Sequence, residues 1–194
     1  MSKTIYLVRH CKAEGQAFDA KLTPTGMMQS ELLTEFLYDK QINSIVSSPY
    51  KRAVDSIKPL AKRLNLPINE DNRLGERVLS SLERDDYLEM LENSFKDLDI
   101  CYEGGESSRQ AMNRAIGVIE DILKGSANNI VIATHGNLMS LILKHYEPSF
   151  GFKEWKSLSN PDVYCLKFEG DSPQIVRIWQ ETIAVPLSEV SYGN

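Results

Sequence analysis

Three short runs constrain the fold more than anything else in this chain: residues 4–8 (TIYLV), residues 44–46 (SIV) with their flanks, and residues 130–133 (IVIA). They are β-branched and apolar at nearly every position. A strand with one wet face alternates, whereas a continuous apolar run is covered on both faces, as in a parallel sheet. Longer stretches with helical spacing separate the runs. The pattern predicts an α/β fold: a three-layer α/β/α sandwich with a mostly parallel central sheet and helices on both faces.

The helices carry their own start and stop signals. Thr23-Pro24 reads as an N-cap followed by proline in the first turn, with Leu32, Leu33, Phe36 and Leu37 as an apolar stripe. Ser48-Pro49 repeats the signal before Val54, Ile57, Leu60, Ala61 and Leu64. Ser107 or Ser108 caps a third helix with Met112, Ile116, Ile119 and Leu123 on its buried face, ending at Gly125. A fourth helix is expected from near Asn137 to about Tyr146. Residues 82–98 are acidic and also helical (Leu88, Leu91, Phe95), and are read as part of a small insert, about residues 77–104, over one end of the sheet. Residues 163–168 and 174–180 alternate around Gly170-Asp171-Ser172-Pro173, which predicts a hairpin at a sheet edge. An exposed hairpin edge can pair with a copy or be capped, so oligomeric state stays open. Residues 186–194 are polar and are expected to form a mobile tail. The length of 194 residues favours one domain spanning the chain.

In open α/β sheets ligands bind beyond the carboxyl ends of the strands. After the first run stand Arg9, His10 and Cys11. After the second stand Ser47, Ser48, Pro49, Tyr50, Lys51 and Arg52, and after the third Thr134, His135, Gly136 and Asn137. A lone strand-end histidine is most often a hydrogen-bonded structural residue, and a lone arginine in a helix's first turn is usually solvated. Two histidines and two arginines at three strand ends in one register are a different matter.

That set suits phosphoryl transfer. Guanidinium forks match phosphate oxygens, and a helix N-terminus near Arg52 adds to the pull on an anion. A neutral imidazole can attack phosphorus and hold the phosphoryl group covalently. Two arginines near His10 would keep it neutral, and His135 could donate a hydrogen bond to the oxygens that gain charge in the transition state. The net charge of −5 supplies no basic excess for a nucleic-acid backbone, so any anion site must be local. No apolar run is long enough to span a membrane, and residues 1–4 lack a signal-like stretch, which makes the cytoplasm the expected location. Cys11, Cys101 and Cys165 are too few and too scattered for a disulfide framework. They do not pair at zinc spacing with His10, His135 and His145. No metal and no cofactor are therefore expected. Cys11 reads as a small filler in a tight turn, with a reactive thiol as the alternative.

In this order, Arg9-His10, Ser47-Ser48-Pro49 leading to Arg52, and Thr134-His135-Gly136 resemble the histidine phosphatase superfamily, its phosphoglycerate mutase-like group. Leu22-Thr23 with Gly26 and Gln29, and Gly105-Glu106-Ser107, are similar to further segments of the family, so the likeness spans roughly residues 5–144. The resemblance implies that His10 is the nucleophile and that Arg9, Arg52 and His135 hold the transferring group. Glu76, in Arg73-Leu74-Gly75-Glu76-Arg77, matches the family's general acid. A leaving alkoxide needs a proton, and a carboxyl group can supply it. From spacing alone, Glu76 reads instead as a surface acid paired with Arg73 or Arg77. Gln16 stands where many members carry an asparagine, and with Gly136 it completes the candidate phosphate contacts.

The chain departs from the family at Cys11, where glycine is usual. Lys12-Ala13-Glu14 does not fit the acid phosphatase branch, nor does Gly136 after the second histidine, which places the chain in the mutase-like branch. It is short beside the glycolytic mutases, whose extra segments enclose the substrate. Water should reach a phosphohistidine here, which favours hydrolysis of a small phosphorylated metabolite over phosphomutase action. A non-catalytic phospho-ligand or partner-binding module is the reading from another class. Retention of His10, Arg9, Arg52, Glu76 and His135 speaks against it. Residues 78–106 are the expected substrate gate, with Tyr87, Met90, Phe95 and Tyr102 as possible lining. The gate's acidic character argues for a monophosphate ester over a polyphosphate.

Overall fold

The structure, a computed structural model, describes residues 2–180. The expected tail at 186–194 lies outside the described residues. Six strands form one sheet: β1 (Lys3–Arg9), β2 (Ser44–Ser47), β3 (Asn69–Glu70), β4 (Asn129–Thr134), β5 (Asp162–Phe168) and β6 (Pro173–Arg177). Their order is β3-β2-β4-β1-β5-β6. The ladders from β3 to β1 are parallel, whereas β5 runs antiparallel to β1 and β6 antiparallel to β5. The sheet is thus mixed, with four parallel strands and an antiparallel hairpin on one edge. The hairpin is the one predicted, although β6 ends at Arg177 rather than at residue 180.

The helices are α1 (Pro24–Tyr38), α2 (Lys51–Leu64), α3 (Tyr87–Lys96), α4 (Ser108–Lys124), α5 (Gly136–Tyr146) and α6 (Phe152–Lys156). Consecutive strand residues feed two separate cores. Ile5, Leu7, Ile130 and Ile132 pack with α3, α4 and α5, through residues such as Leu91, Ile119 and Leu138. Tyr6, Val8, Val131 and Ala133 pack with α1 and α2, through Leu33, Leu37, Ile57 and Leu60. Burial on both faces is why these strands read as continuous apolar runs.

Local chemistry sets the helix ends. Thr23 Oγ1 accepts from the Gly26 N–H at 3.0 Å, with Pro24 in the first turn. Ser107 and Gln110 form a capping box at the start of α4. Ser48-Pro49 is not a helix start. The cap position of α2 is Tyr50, because the Ser48 hydroxyl is engaged at 2.7 Å with His135. Leu32 and Leu88 were expected in apolar stripes, yet both are exposed. Of residues 82–98 only α3 is helical. The insert turns back through Gly104, where φ is +69° and a β-carbon would lie 2.0 Å from Ser81 Oγ.

Candidate active site

The register brings the strand ends together. Arg9 pairs with Thr134 across β1 and β4, and Ser47 pairs with Ala133 across β2 and β4. The next residue after each strand stays in the ladder: His10 N–H donates to Thr134 O at 3.0 Å, and Ser48 N–H to Ala133 O at 2.9 Å. Asp71 N–H donates to Ser47 O at 2.9 Å, and the chain beyond it carries Glu76 to the same edge. A cavity of about 500 Å³ opens there, lined by Arg9, His10, Gln16, Arg52, Glu76 and Gly136 among others.

His10 is buried, and its ring is held at both nitrogens. Nδ1 lies 2.7 Å from Cys11 O, which can only accept, so Nδ1 carries the proton. Arg52 Nε–H donates to Nε2 at 3.2 Å, so Nε2 presents a lone pair. Burial pushes the ring's pKa down to about 4, with Arg52 and Arg9 lowering it further against the Cys11 hydrogen bond. The expectation of a neutral His10 therefore holds, but burial contributes more than the arginines do. The Cys11 thiol is fully buried and pushed up to about 12 by that burial, which leaves it inert as a nucleophile. Cys11 N–H donates to Ser56 Oγ at 2.8 Å, fixing the turn that the filler reading predicts.

Each arginine is anchored by carbonyls. Arg52 Nη1 donates to Gln16 O and Ala17 O at 3.0 and 2.9 Å, and its guanidinium lies over the Tyr50 ring. Gln16 Oε1 stands 3.4 Å from Arg52 Nη2, so Gln16 both lines the cavity and holds Arg52. Arg9 Nη1 donates to Leu158 O at 3.0 Å. Gly136 packs against the Arg9 guanidinium, where a β-carbon would lie 3.0 Å from Nε. Gly136 thus makes room for the arginine.

His135 is fully buried at the start of α5, its ring 5.2 Å from that of His10. Burial, and then the proximity of the titratable His10 ring and of three arginines, hold it well below the usual histidine range. No α5 cap comes from His135's own side chain. Glu76 takes that place from 61 and 62 residues away: Oε2 accepts from Asn137 N–H at 3.2 Å, and Oε1 from Leu138 N–H at 3.0 Å, with Arg77 N–H also donating to Oε1 at 2.9 Å. Among the described residues Glu76 makes no ion pair with Arg73 or Arg77. Arg73 pairs with Asp71 and Asp121, while the Arg77 guanidinium binds Ser94, Ser108 and Glu106 O. Glu76 also raises the pKa of Arg9 and Arg52 against their burial.

Sequence reasoning missed several groups. Asn160 Nδ2 donates to His10 O at 2.7 Å, and Gln29 bridges Lys12 N–H to Asn160 O, tying the loop after β1 to the segment before β5. Arg77 and Trp155 line the cavity. Gln29 and Arg77 stand in segments already noted for their family likeness but carried no site role there, and Asn160 and Trp155 belong to no local pattern that spacing could expose. The expected gate segment reaches the cavity through Val78, Leu79, Ser80 and Tyr87, so of its four named lining candidates Tyr87 alone is there. Met90 and Phe95 are core, and the Tyr102 hydroxyl donates to Met90 O at 3.2 Å. Four buried polar atoms without a partner among the described residues also gather at this edge: Arg9 Nε, Arg77 Nη2, His135 Nδ1 and Asn137 Oδ1. Buried polar groups are nearly always paired, so this concentration marks a polar ligand's place.

The family model of the histidine phosphatase superfamily (branch 1) matches residues 5–181. The chain belongs to the histidine phosphatase superfamily. Phosphoserine phosphatase 1 of Hydrogenobacter thermophilus is 27% identical over 150 residues, covering 68% of this chain and 70% of its own. Glucosyl-3-phosphoglycerate phosphatase of Mycolicibacterium vanbaalenii is 25% identical over 162 residues, covering 72% of each chain. The structure of a phosphoglycerate mutase from Bacillus anthracis superimposes with a TM-score of 0.73 at 15% identity, covering 91% of this chain and 92% of its own. The architecture of this superfamily member is therefore the phosphoglycerate mutase-like α/β fold. Among its described residues no helix is long and apolar enough to cross a membrane.

Proposed function

We propose that this protein is a phosphatase that hydrolyses a small phosphate monoester through a phosphohistidine on His10, with Glu76 as proton donor. The observation that carries the reading is the double hold on His10. A ring that donates from Nδ1 and accepts at Nε2 is a neutral imidazole with its nucleophilic lone pair facing the arginine side of the cavity. Membership of the superfamily supports phosphatase chemistry, and the named relatives act on small phosphorylated compounds.

In the first half-reaction Nε2 attacks phosphorus, and the P–O bond to the alcohol breaks. Arg9 and Arg52 bind the equatorial oxygens. His135 adds a donor: a Ser48 O–H directed at Nε2 leaves the ring proton on Nδ1, which has no partner among the described residues. Glu76 protonates the departing alkoxide. A phosphate monoester, with a second ionisation near ~6, brings that proton when it binds as the monoanion. In the second half-reaction Glu76 takes a proton from water, which attacks the phosphohistidine and frees His10. No step uses a metal ion or cofactor.

Phosphate release from p-nitrophenyl phosphate and a panel of metabolites tests the proposal. Activity should persist in chelator and fall at least 1000-fold in His10→Ala. Full activity in that variant would refute the mechanism. Adding phosphoglycerates with labelled phosphate would show whether a second hydroxyl competes with water.

A further inference from the structure

The steps of the proposed reaction leave one motif of the sequence unused: Leu22-Thr23 with Gly26 and Gln29, at the start of α1. The fold sets it against the loop that carries His10. Two successive peptide units of that loop are pinned at both their C=O and their N–H. In the unit between His10 and Cys11, the carbonyl accepts from Asn160 Nδ2 at 2.7 Å, and the N–H donates to Ser56 Oγ at 2.8 Å. Ser56 spends its own proton on Arg52 O, so it faces Cys11 as an acceptor. In the unit between Cys11 and Lys12, the carbonyl accepts from His10 Nδ1 at 2.7 Å, and the N–H donates to Gln29 Oε1 at 2.9 Å. Gln29 Nε2 donates in turn to Asn160 O at 2.5 Å, which joins these holds into one frame. An N–H only donates and a carbonyl only accepts, so both ends of the Gln29 amide are assigned. Thr23 N–H donates to Lys12 O at 3.0 Å, and Gly26 lets α1 approach that same carbonyl, where a β-carbon would collide.

The frame reaches the nucleophile through the Cys11 carbonyl. Which nitrogen of a histidine carries the proton is set by the partners of the ring, and this carbonyl is the acceptor at Nδ1. In the resting enzyme Arg52 favours the same arrangement by donating to Nε2. Attack on phosphorus ends that second hold, because the Nε2 lone pair becomes the N–P bond. As that bond forms and the P–O bond breaks, positive charge spreads over the ring, and the hydrogen bond from Nδ1 to Cys11 O strengthens. The direction of the carbonyl therefore matters most in the transition state. We infer that Gln29 and Asn160 are positioning residues, which aim the Cys11 carbonyl at His10 Nδ1 and so keep the ring set for attack. The inference rests on the phosphatase reading and goes beyond it, extending the working site to α1 and to the segment before β5.

Steady-state kinetics and NMR of isotope-labelled histidine test it together, with three histidines in the chain to assign. Gln29→Ala and Asn160→Ala should each lower kcat by about tenfold or more and change KM by less than about twofold. In both variants the His10 Nδ1 proton should exchange with water about tenfold faster or more, while the His135 signals stay in place. Gln29→Glu keeps an acceptor for Lys12 N–H and loses the donor to Asn160 O. Its kcat should fall between those of the wild type and Gln29→Ala, and it serves if the alanine variants do not fold. A loss confined to KM would make these residues substrate contacts and overturn the inference. A lower melting temperature with kcat and Nδ1 exchange unmoved would make them a structural brace only and overturn it too. Wild-type hydrolysis of p-nitrophenyl phosphate alongside either failure would leave the phosphatase reading standing. No release from any ester by the wild type would defeat both.

Discussion

At the scale of single residues, the site works by denying side chains their usual partners. His10 is kept neutral by burial, Cys11 is silenced by the same burial, and Arg9, Arg77 and His135 each retain a nitrogen without a partner among the described residues. Two substitutions separate these roles. Glu76→Gln should slow esters of poor leaving groups by about 100-fold or more and p-nitrophenyl phosphate far less, because that leaving group needs little protonation. Comparing kcat/KM across a leaving-group series checks this, and equal losses would remove Glu76 from the donor role. Gly136→Ala places a β-carbon against the anchored Arg9 guanidinium, so activity should fall about tenfold or more while the melting temperature changes little. The residues that sequence alone pointed to, His10, Arg9, Arg52, His135, Gln16, Gly136 and Glu76, all reach this edge. Arg9, His10, Arg52, His135 and Gly136 were legible because each follows a strand run by a short offset, whereas Gln16 and Glu76 came only from the family resemblance. Asn160 and Arg77 were not legible, since their place depends on β5 and α3 packing against parts of the chain over 15 residues away.

At the scale of elements, helix ends do much of the positioning. α5 begins on His135 without a cap of its own, and Glu76 supplies one from across the fold, so a helix start and a candidate acid depend on each other. The sequence misplaced the start of α2 for a related reason: Ser48 has the chemistry of a cap but is bound to His135. By contrast the capping box of Ser107 and Gln110 is local and was legible. Ser107→Ala should destabilise the protein by about 1 kcal/mol, read by urea unfolding, because an orphan N–H of α4 loses its acceptor. The mixed sheet was half legible. Continuous apolar runs announced the parallel strands, but the side on which the hairpin docks is a tertiary choice that no local pattern encodes.

At the scale of the whole molecule, the buried histidines couple stability to pH. His10 titrates near about 4 in the folded protein against an ordinary value of 6.5. Between those values the unfolded chain binds more protons than the folded one, so stability falls as pH is lowered through that window, by up to about 3 kcal/mol for this group. His135 is lowered as well and acts in the same direction. The slope is half its maximum at pH 6.5 and fades about one pH unit above it. Urea unfolding at pH 7.5 and 5 should therefore show a clear loss at pH 5 in the wild type and a smaller one in His10→Asn. On the proposed mechanism, the neutral His10 that serves as nucleophile is kept at a cost in acid stability.

The central claim is that the phosphoryl group passes through His10, and rapid quench during turnover with labelled substrate tests it most directly. The account predicts a transient phosphoprotein that is labile in acid and stable in base, with the label on His10 and absent from His10→Ala. Label on Cys11, or steady turnover with no phosphoprotein at any quench time and undiminished activity in His10→Ala, would contradict it.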